Sequence, residues 1–246
     1  MGKSLVAELQ NELKHLSPEQ GLKWIAGDYG SHAKFSTSFG LEDQVIIYMI
    51  ASQSLDVEIF TLDTGRLFQE TYDVFDLTKQ KYGVSIIPYF PQRERVEELL
   101  KQKGPNSFYQ SVENRKECCF IRKVEPLQRA LKDASVWITG LRAEQSTSRG
   151  DVPLVEWDEQ YQLIKYNPIL HWSAEEVNSF IDRNNVPVNV LHKKGFPSIG
   201  CAPCTRAILP GENLRAGRWW WESSSKECGL HERNKKQPLT VGDNIL

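Results

Sequence analysis

Ala33-Lys34-Phe35-Ser36-Thr37-Ser38 leads through Phe39-Gly40-Leu41-Glu42 into an apolar run from Asp43 to about Gln53, and Val57-Glu58-Ile59-Phe60-Thr61-Leu62 follows. The β-rich first segment predicts a strand, the glycine-bearing four residues a loop, the run a helix, and the last six a second strand. Downstream, a helix from about Phe68 to Lys81, a strand from Val84 to Ile87 and a helix from Arg93 to Lys103 continue the alternation. Lys116 to Leu131 reads as a further helix and Ser135 to Thr139 as a strand ending at Gly140. Upstream, Leu5, Leu9, Leu13 and Leu16 recur at helical spacing and predict a helix over 3–15. Ser17-Pro18-Glu19-Gln20 is a capping box with proline at the first helical position, opening a helix toward Asp28. Ser173-Ala174-Glu175-Glu176 is another, opening a helix that buries Val177, Phe180 and Ile181. Strands alternating with helices predict an α/β fold, a largely parallel twisted sheet flanked by helices, as one domain over residues 1–215. Prolines and glycines dominate from Val186, and residues 216–246 lack a clear core face, so a mobile tail is expected there.

Composition narrows the function classes. Hydrophobic residues make up 40% and charged residues 25% of the 246, the balance of an ordered globular chain. The apolar run Val45 to Ile50 is far below the roughly 20 residues that cross a bilayer. Met1-Gly2-Lys3-Ser4-Leu5 enters an amphipathic pattern with Glu8 and Glu12 and has no secretory apolar core. A cytoplasmic enzyme with no membrane association is expected. A net charge of −2 gives no reason to expect nucleic-acid binding. Locally the balance differs: Arg115 to Arg149 holds eight basic and four acidic residues, and His192 to Arg218 five and one. A basic site in an acidic body suits a small anionic ligand.

Ligands of open α/β sheets sit at the carboxyl ends of strands. Three polar, glycine-bearing loops occupy such places: Ser36 to Asp43, Leu62-Asp63-Thr64-Gly65-Arg66, and Thr139 to Arg149. Backbone N–H groups at the helix start after Gly40 favour a phosphate-like anion. Together the loops predict a nucleotide pocket. Five cysteines complete the inventory: Cys118-Cys119, Cys201-Ala202-Pro203-Cys204, and Cys228 alone near the end. Two thiolate pairs suit a tetrahedral zinc or an iron–sulfur cluster. Adjacent cysteines on a helix diverge by about 100°, which suits separate irons of a larger group better than one ion.

Several stretches jointly resemble the assimilatory adenylyl-sulfate reductases, the iron–sulfur branch of the sulfonucleotide reductases, on an adenine-nucleotide α-hydrolase-like fold. They are Ser36 to Asp43, Leu62 to Tyr72, Cys118 to Lys123, Thr139 to Arg149, Pro197 to Arg206, Arg215 to Glu222 and Lys226 to His231. One departure is Gln69, where the family often carries proline. The resemblance implies that adenylyl sulfate and reduced thioredoxin yield sulfite, AMP and oxidised thioredoxin. It implies one [4Fe-4S] cluster on Cys118, Cys119, Cys201 and Cys204, and Cys228 as the nucleophile forming a Cys–S–SO3 intermediate. Lys123 and His231 join Cys228 in the catalytic set. The loops predict, and the resemblance implies for the arginines, a substrate-binding set of Ser36, Ser38, Gly40, Asp63, Thr64, Gly65, Gly140, Arg142, Arg215 and Arg218. With four cysteines on the cluster, Cys228 has no internal resolving partner, so an external thiol, thioredoxin or glutaredoxin, must release the intermediate.

Rival readings remain at this point. A reductase of 3′-phosphoadenylyl sulfate shares the loops and the Cys-Gly-Leu-His tail but typically lacks the two cysteine pairs. An ATP pyrophosphatase or tRNA-thiolation enzyme would carry a Ser-Gly-Gly-x-Asp-Ser loop, where this chain has Ser36-Thr37-Ser38-Phe39-Gly40-Leu41. A cluster- or zinc-binding regulator would show a DNA-binding element and a broader basic surface. A homo-oligomer is compatible with the sequence.

Overall fold

The computed structural model describes residues 2–145 and 152–222. Two helices open the chain, α1 (Gly2–Leu13) and α2 (Pro18–Tyr29), the latter held by the expected capping box of Ser17 and Gln20. The core alternation follows: β1 (Ala33–Thr37), α3 (Leu41–Ser52), β2 (Glu58–Leu62), α4 (Gln69–Tyr82), β3 (Ile86–Tyr89) and α5 (Arg93–Lys103). β3 begins two residues later than Val84, the start its sequence suggested. The helix expected over 116–131 is three pieces. α6 (Val112–Cys119), capped by Ser111, runs into a π-helical turn (Phe120–Val124) and then α7 (Glu125–Ala130). β4 (Val136–Ile138) is followed by a hairpin the sequence did not announce, β5 (Val155–Asp158) and β6 (Leu163–Tyr166), and by α8 (Ala174–Asn184). Among the described residues no helix is long and apolar enough to cross a membrane.

The six strands form one sheet in the order β3-β2-β1-β4-β6-β5, parallel throughout except for the edge strand β5. Period-two alternation distributes the side chains to two faces. Ala33 and Phe35 of β1, Ile59 of β2, Val136 and Ile138 of β4, and Ile164 and Tyr166 of β6 join the main core with α1, α2, α3 and α8. Phe60, Trp137 and Leu163 point the other way and pack with Leu127, Ala130 and Leu131 from α7 and its end. From β1 the chain steps outward through β2 to β3, then returns to place β4 on the opposite side of β1. The strand order thus reverses between β1 and β4, and a crevice at their carboxyl ends is the ligand position of such sheets.

Of the expected tail over 216–246, residues 216–222 are described, and they pack against the body. Thr205 bridges to Arg218 in antiparallel fashion, the Arg206 N–H donates to the Gly217 carbonyl at 3.0 Å, and Trp219 is 1% exposed. The rest of the tail, Cys228 and His231 included, lies outside the described residues.

Candidate active site

A cavity of about 290 Å³ opens at the crevice. Ser36, Ser38 and Gly40 line it from the β1 loop, Gly140 and Arg142 from the β4 loop, Lys123 from the π-helical turn, and Arg215 and Arg218 from the chain's last described stretch. Eight of the residues expected at the site therefore meet around one space. Ser146 to Arg149, the end of the third expected loop, lie outside the described residues.

The β1 loop is fixed by Asp43 in the first turn of α3. Its carboxylate accepts from the Ser38 backbone N–H at 2.6 Å and from the Ser38 hydroxyl at 2.8 Å. Burial pushes the Asp43 carboxyl up to about 6, against the hydrogen bonds from Ser38 and Gly40 that favour its charged form. Gly140 packs against this corner so closely that a Cβ there would meet Asp43 Oδ1 at 2.4 Å. Ser36 Oγ accepts from the Trp137 indole at 2.8 Å, which orients the hydroxyl on the cavity floor.

Two groups of expected contacts are placed differently. Arg142 lines the cavity, but its guanidinium is committed to Glu42 at 2.9 Å, Glu144 at 3.1 Å and the Trp172 carbonyl at 3.1 Å. It braces α3 against the β4 loop. Asp63, Thr64 and Gly65 are not among the cavity's lining residues. Asp63 accepts from the Gly65 N–H at 2.8 Å and the Tyr72 hydroxyl at 3.0 Å, while Thr64 Oγ1 lies 3.2 Å from Cys201 Sγ and the Thr64 carbonyl accepts from Arg122 at 2.6 Å. Gly65 takes φ +69°, a left-handed turn open to glycine, and a Cβ there would lie 3.6 Å from Arg122 Nη1. The second loop faces the cysteines.

Cys118 and Cys201 pack with Cys204, Phe108 and Trp219 in a small separate core. Cys119 belongs to the same neighbourhood, since it and Cys118 both act on Cys204. Burial, reinforced by the neighbouring sulfurs, pushes the Cys204 thiol up to about 12, and burial also raises Cys118. Cys201 behaves differently: burial opposes its ionisation, yet Lys123, the Thr64 hydroxyl, Arg218 and Arg122 outweigh it and the net direction is down. Lys123 thus lines the cavity while its charge acts on Cys201 and Cys204. Two guanidinium groups pack on Trp219, Arg115 at 4.5 Å and Arg218 at 5.0 Å from its ring centre. Arg115 is itself held in a buried bidentate pair with Glu222, at 2.6 and 3.1 Å.

Among the described residues no three of His, Cys, Asp and Glu converge as donors to a single metal ion. The donor set fits a larger thiolate-bound group. Four sulfurs come from two chain segments, and the nearby Trp219 Nε1 and Arg122 Nε are buried donors with no partner among the described residues.

His192 is the residue that sequence reading missed. It lines the cavity, as Gly140 and Ser198 do, from the 3₁₀ segment Val190–Lys194, within a region whose prolines and glycines suggested only irregular chain.

A mostly parallel α/β sheet with a cation-lined crevice at its switch point, joined through Lys123 to a cysteine cluster, has the architecture of the adenine-nucleotide α-hydrolase-like class. The family model of the phosphoadenosine phosphosulfate reductase domain matches residues 32–207, and the chain belongs to that family. It is 46% identical over 236 residues to the adenosine 5′-phosphosulfate reductase of Agrobacterium fabrum, covering 96% of this chain and 90% of the relative. It is 50% identical over 222 residues to the enzyme of the same name from Rhizobium meliloti, covering 90% and 83%. Among solved structures it is similar to the phosphoadenylyl-sulfate reductase of Candida auris in a phosphate complex, with TM-score 0.72 and 30% identity over 85% of this chain and 98% of that one. An FMN adenylyltransferase from Candida glabrata, at TM-score 0.53 and 16% identity, shares the fold alone.

Proposed function

We propose that this chain reduces adenylyl sulfate to sulfite and AMP in sulfate assimilation. The observation that carries the reading is Lys123, which shares the cavity with Arg215 and Arg218 and acts electrostatically on two of the cysteines. The phosphosulfate would lie against these three cations, with the nucleoside toward Ser36–Gly40 and Gly140. Cys118, Cys119, Cys201 and Cys204 would hold a [4Fe-4S] cluster. When bound, that cluster would supply a fixed charge distribution to the site that Lys123 shares with the cysteines. The two cysteine pairs, absent from typical 3′-phosphoadenylyl-sulfate enzymes, favour adenylyl sulfate, as do the names of the relatives.

The Cys228 thiolate attacks the sulfate sulfur, the S–O bond to AMP breaks, and AMP leaves with the oxygen and its electron pair. Cationic neighbours lower the repulsion between thiolate and anion. A dithiol of the thioredoxin or glutaredoxin class then attacks Cys228 Sγ, sulfite leaves with the electron pair of the S–S bond, and the second thiol of the partner closes its disulfide and returns Cys228 as thiolate. His231 is assigned beside the phosphosulfate by the same family motif. Incubating the protein with adenylyl sulfate and no reductant should leave one SO3 on the chain by intact mass, absent in Cys228→Ser. An unmodified wild-type chain that still releases sulfite would overturn the scheme. Anaerobic purification with visible absorption, iron and sulfide analysis tests the cluster, and iron-free protein with full activity would remove it from the reading.

A further inference from the structure

The cavity is rich in donors, Lys123, Arg215 and Arg218 among them, and both carboxylates that line it are committed. Glu42 is engaged by Arg142, and Asp43 by Ser38. His192 breaks this pattern. Its Nδ1 lies 2.9 Å from the Phe196 carbonyl, which can only accept, so Nδ1 carries the proton and Nε2 presents a lone pair. That Nε2 is buried and has no partner among the described residues, although the ring lines the cavity. Burial holds the imidazole below its usual pKa, against the pull of the Phe196 carbonyl and Glu42, so the ring stays neutral at physiological pH. A buried acceptor with nothing to accept from is costly in an empty site and is satisfied when a donor arrives.

We infer that His192 is a positioning residue for the nucleoside half of the ligand, with Nε2 accepting a hydrogen bond from a donor on the adenosine moiety. The chemistry restricts that donor. Phosphate and sulfate oxygens of the ligand are acceptors at neutral pH, so the partner is a ribose hydroxyl or the adenine amine. Against a site built to receive a particular donor, an analogue lacking it is penalised more than the missing contact alone, because the buried acceptor stays unpaired. This assignment rests on the nucleotide reading of the cavity and not on its redox chemistry.

Calorimetric binding of AMP, an equilibrium that needs neither reductant nor turnover, separates the two. His192→Phe fills the same volume without the lone pair and should weaken AMP about tenfold, whereas His192→Gln, which offers Oε1 near the same place, should stay within about threefold of wild type. With adenylyl sulfate the Phe variant should raise KM while leaving kcat within about twofold. Among 2′-deoxy, 3′-deoxy and inosine monophosphates, the analogue missing the partner donor should bind wild type about tenfold more weakly than AMP yet lose nothing further in His192→Phe. A thermal melt of each variant confirms folding. The inference is overturned if His192→Phe binds AMP as wild type does, or if every analogue loses equally in both proteins. AMP binding with the expected pattern but no sulfite formed would fail the proposed reaction and leave the His192 assignment supported.

Discussion

Gly200 has no room for a side chain where Arg218 crosses it: a Cβ would lie 2.3 Å from Nη2 and 2.6 Å from Cζ. Arg218 is buried and stacked on Trp219, so its guanidinium cannot simply swing clear. Gly200→Ala should therefore displace the cation from the cavity and weaken AMP binding about tenfold or more, at ~1–3 kcal/mol of overpacking. Binding equal to wild type would show that Arg218 is not held by this contact. Asp43 makes a second prediction with a sign. Its carboxyl sits at about 6 in the fold against an ordinary 3.8, so the folded state binds the proton more tightly than the unfolded chain. The favourable contribution is full below pH 3.8 and is lost as pH rises through about 6, which amounts to ~3 kcal/mol. Urea unfolding of wild type and Asp43→Asn should thus show a stability difference that moves against wild type by up to ~3 kcal/mol between pH 4 and 7. A difference independent of pH would refute it. Neither effect was legible in the sequence, which places Gly200 and Asp43 in motifs but does not show what they touch.

Local rules sufficed for most elements and failed where geometry departs from them. Both capping boxes, Ser17 with Gln20 and Ser173 with Glu176, form as their spacing predicts. Ser173→Ala, whose side chain is not part of the cavity lining, should cost ~1 kcal/mol of stability by denaturant unfolding. The hairpin β5–β6 was missed because its strands are four residues long, and β6 is buried on both faces, leaving no alternation to read. The π-helical turn was missed for another reason. Its five residues wind by roughly a quarter-turn less than an α-helix would, which no apolar spacing in Phe120–Val124 advertises. Pro126 just beyond it supplies no N–H, and so places no demand on the ladder at that point. The turn lets one continuous segment offer cysteines to the sulfur core and Lys123 to the cavity. Lys123→Ala should lower kcat/KM at least about a hundredfold while iron content and the thermal melt hold. Full turnover would dissolve the link between the two halves of the site.

The whole molecule separates its charge in a way the net value of −2 conceals. The basic windows read from the sequence proved only partly available: Arg142, Arg115, Arg129 and Arg206 are each spent on a nearby glutamate. Besides the glutamate-bound Arg142, the cations that line the cavity are Lys123, Arg215 and Arg218, brought from the π-helical turn and from chain nearly a hundred residues further on. That convergence depends on the strand order reversing between β1 and β4, a tertiary fact that the alternation of strands and helices made expected without fixing which loops meet. If these three charges act together on the anionic end of a nucleotide, salt should oppose binding for anions alone. Raising potassium chloride from about 0.05 to about 0.5 M shortens the screening length several-fold and should raise the Kd of AMP about three- to tenfold. Adenosine, which keeps the nucleoside contacts and lacks the phosphate, should shift less than about twofold over the same range. The double substitution Arg215→Gln and Arg218→Gln should flatten the AMP response toward that of adenosine. A salt dependence equal for both ligands would mean that the cavity recognises the nucleoside and that its cations serve only the sulfur core below.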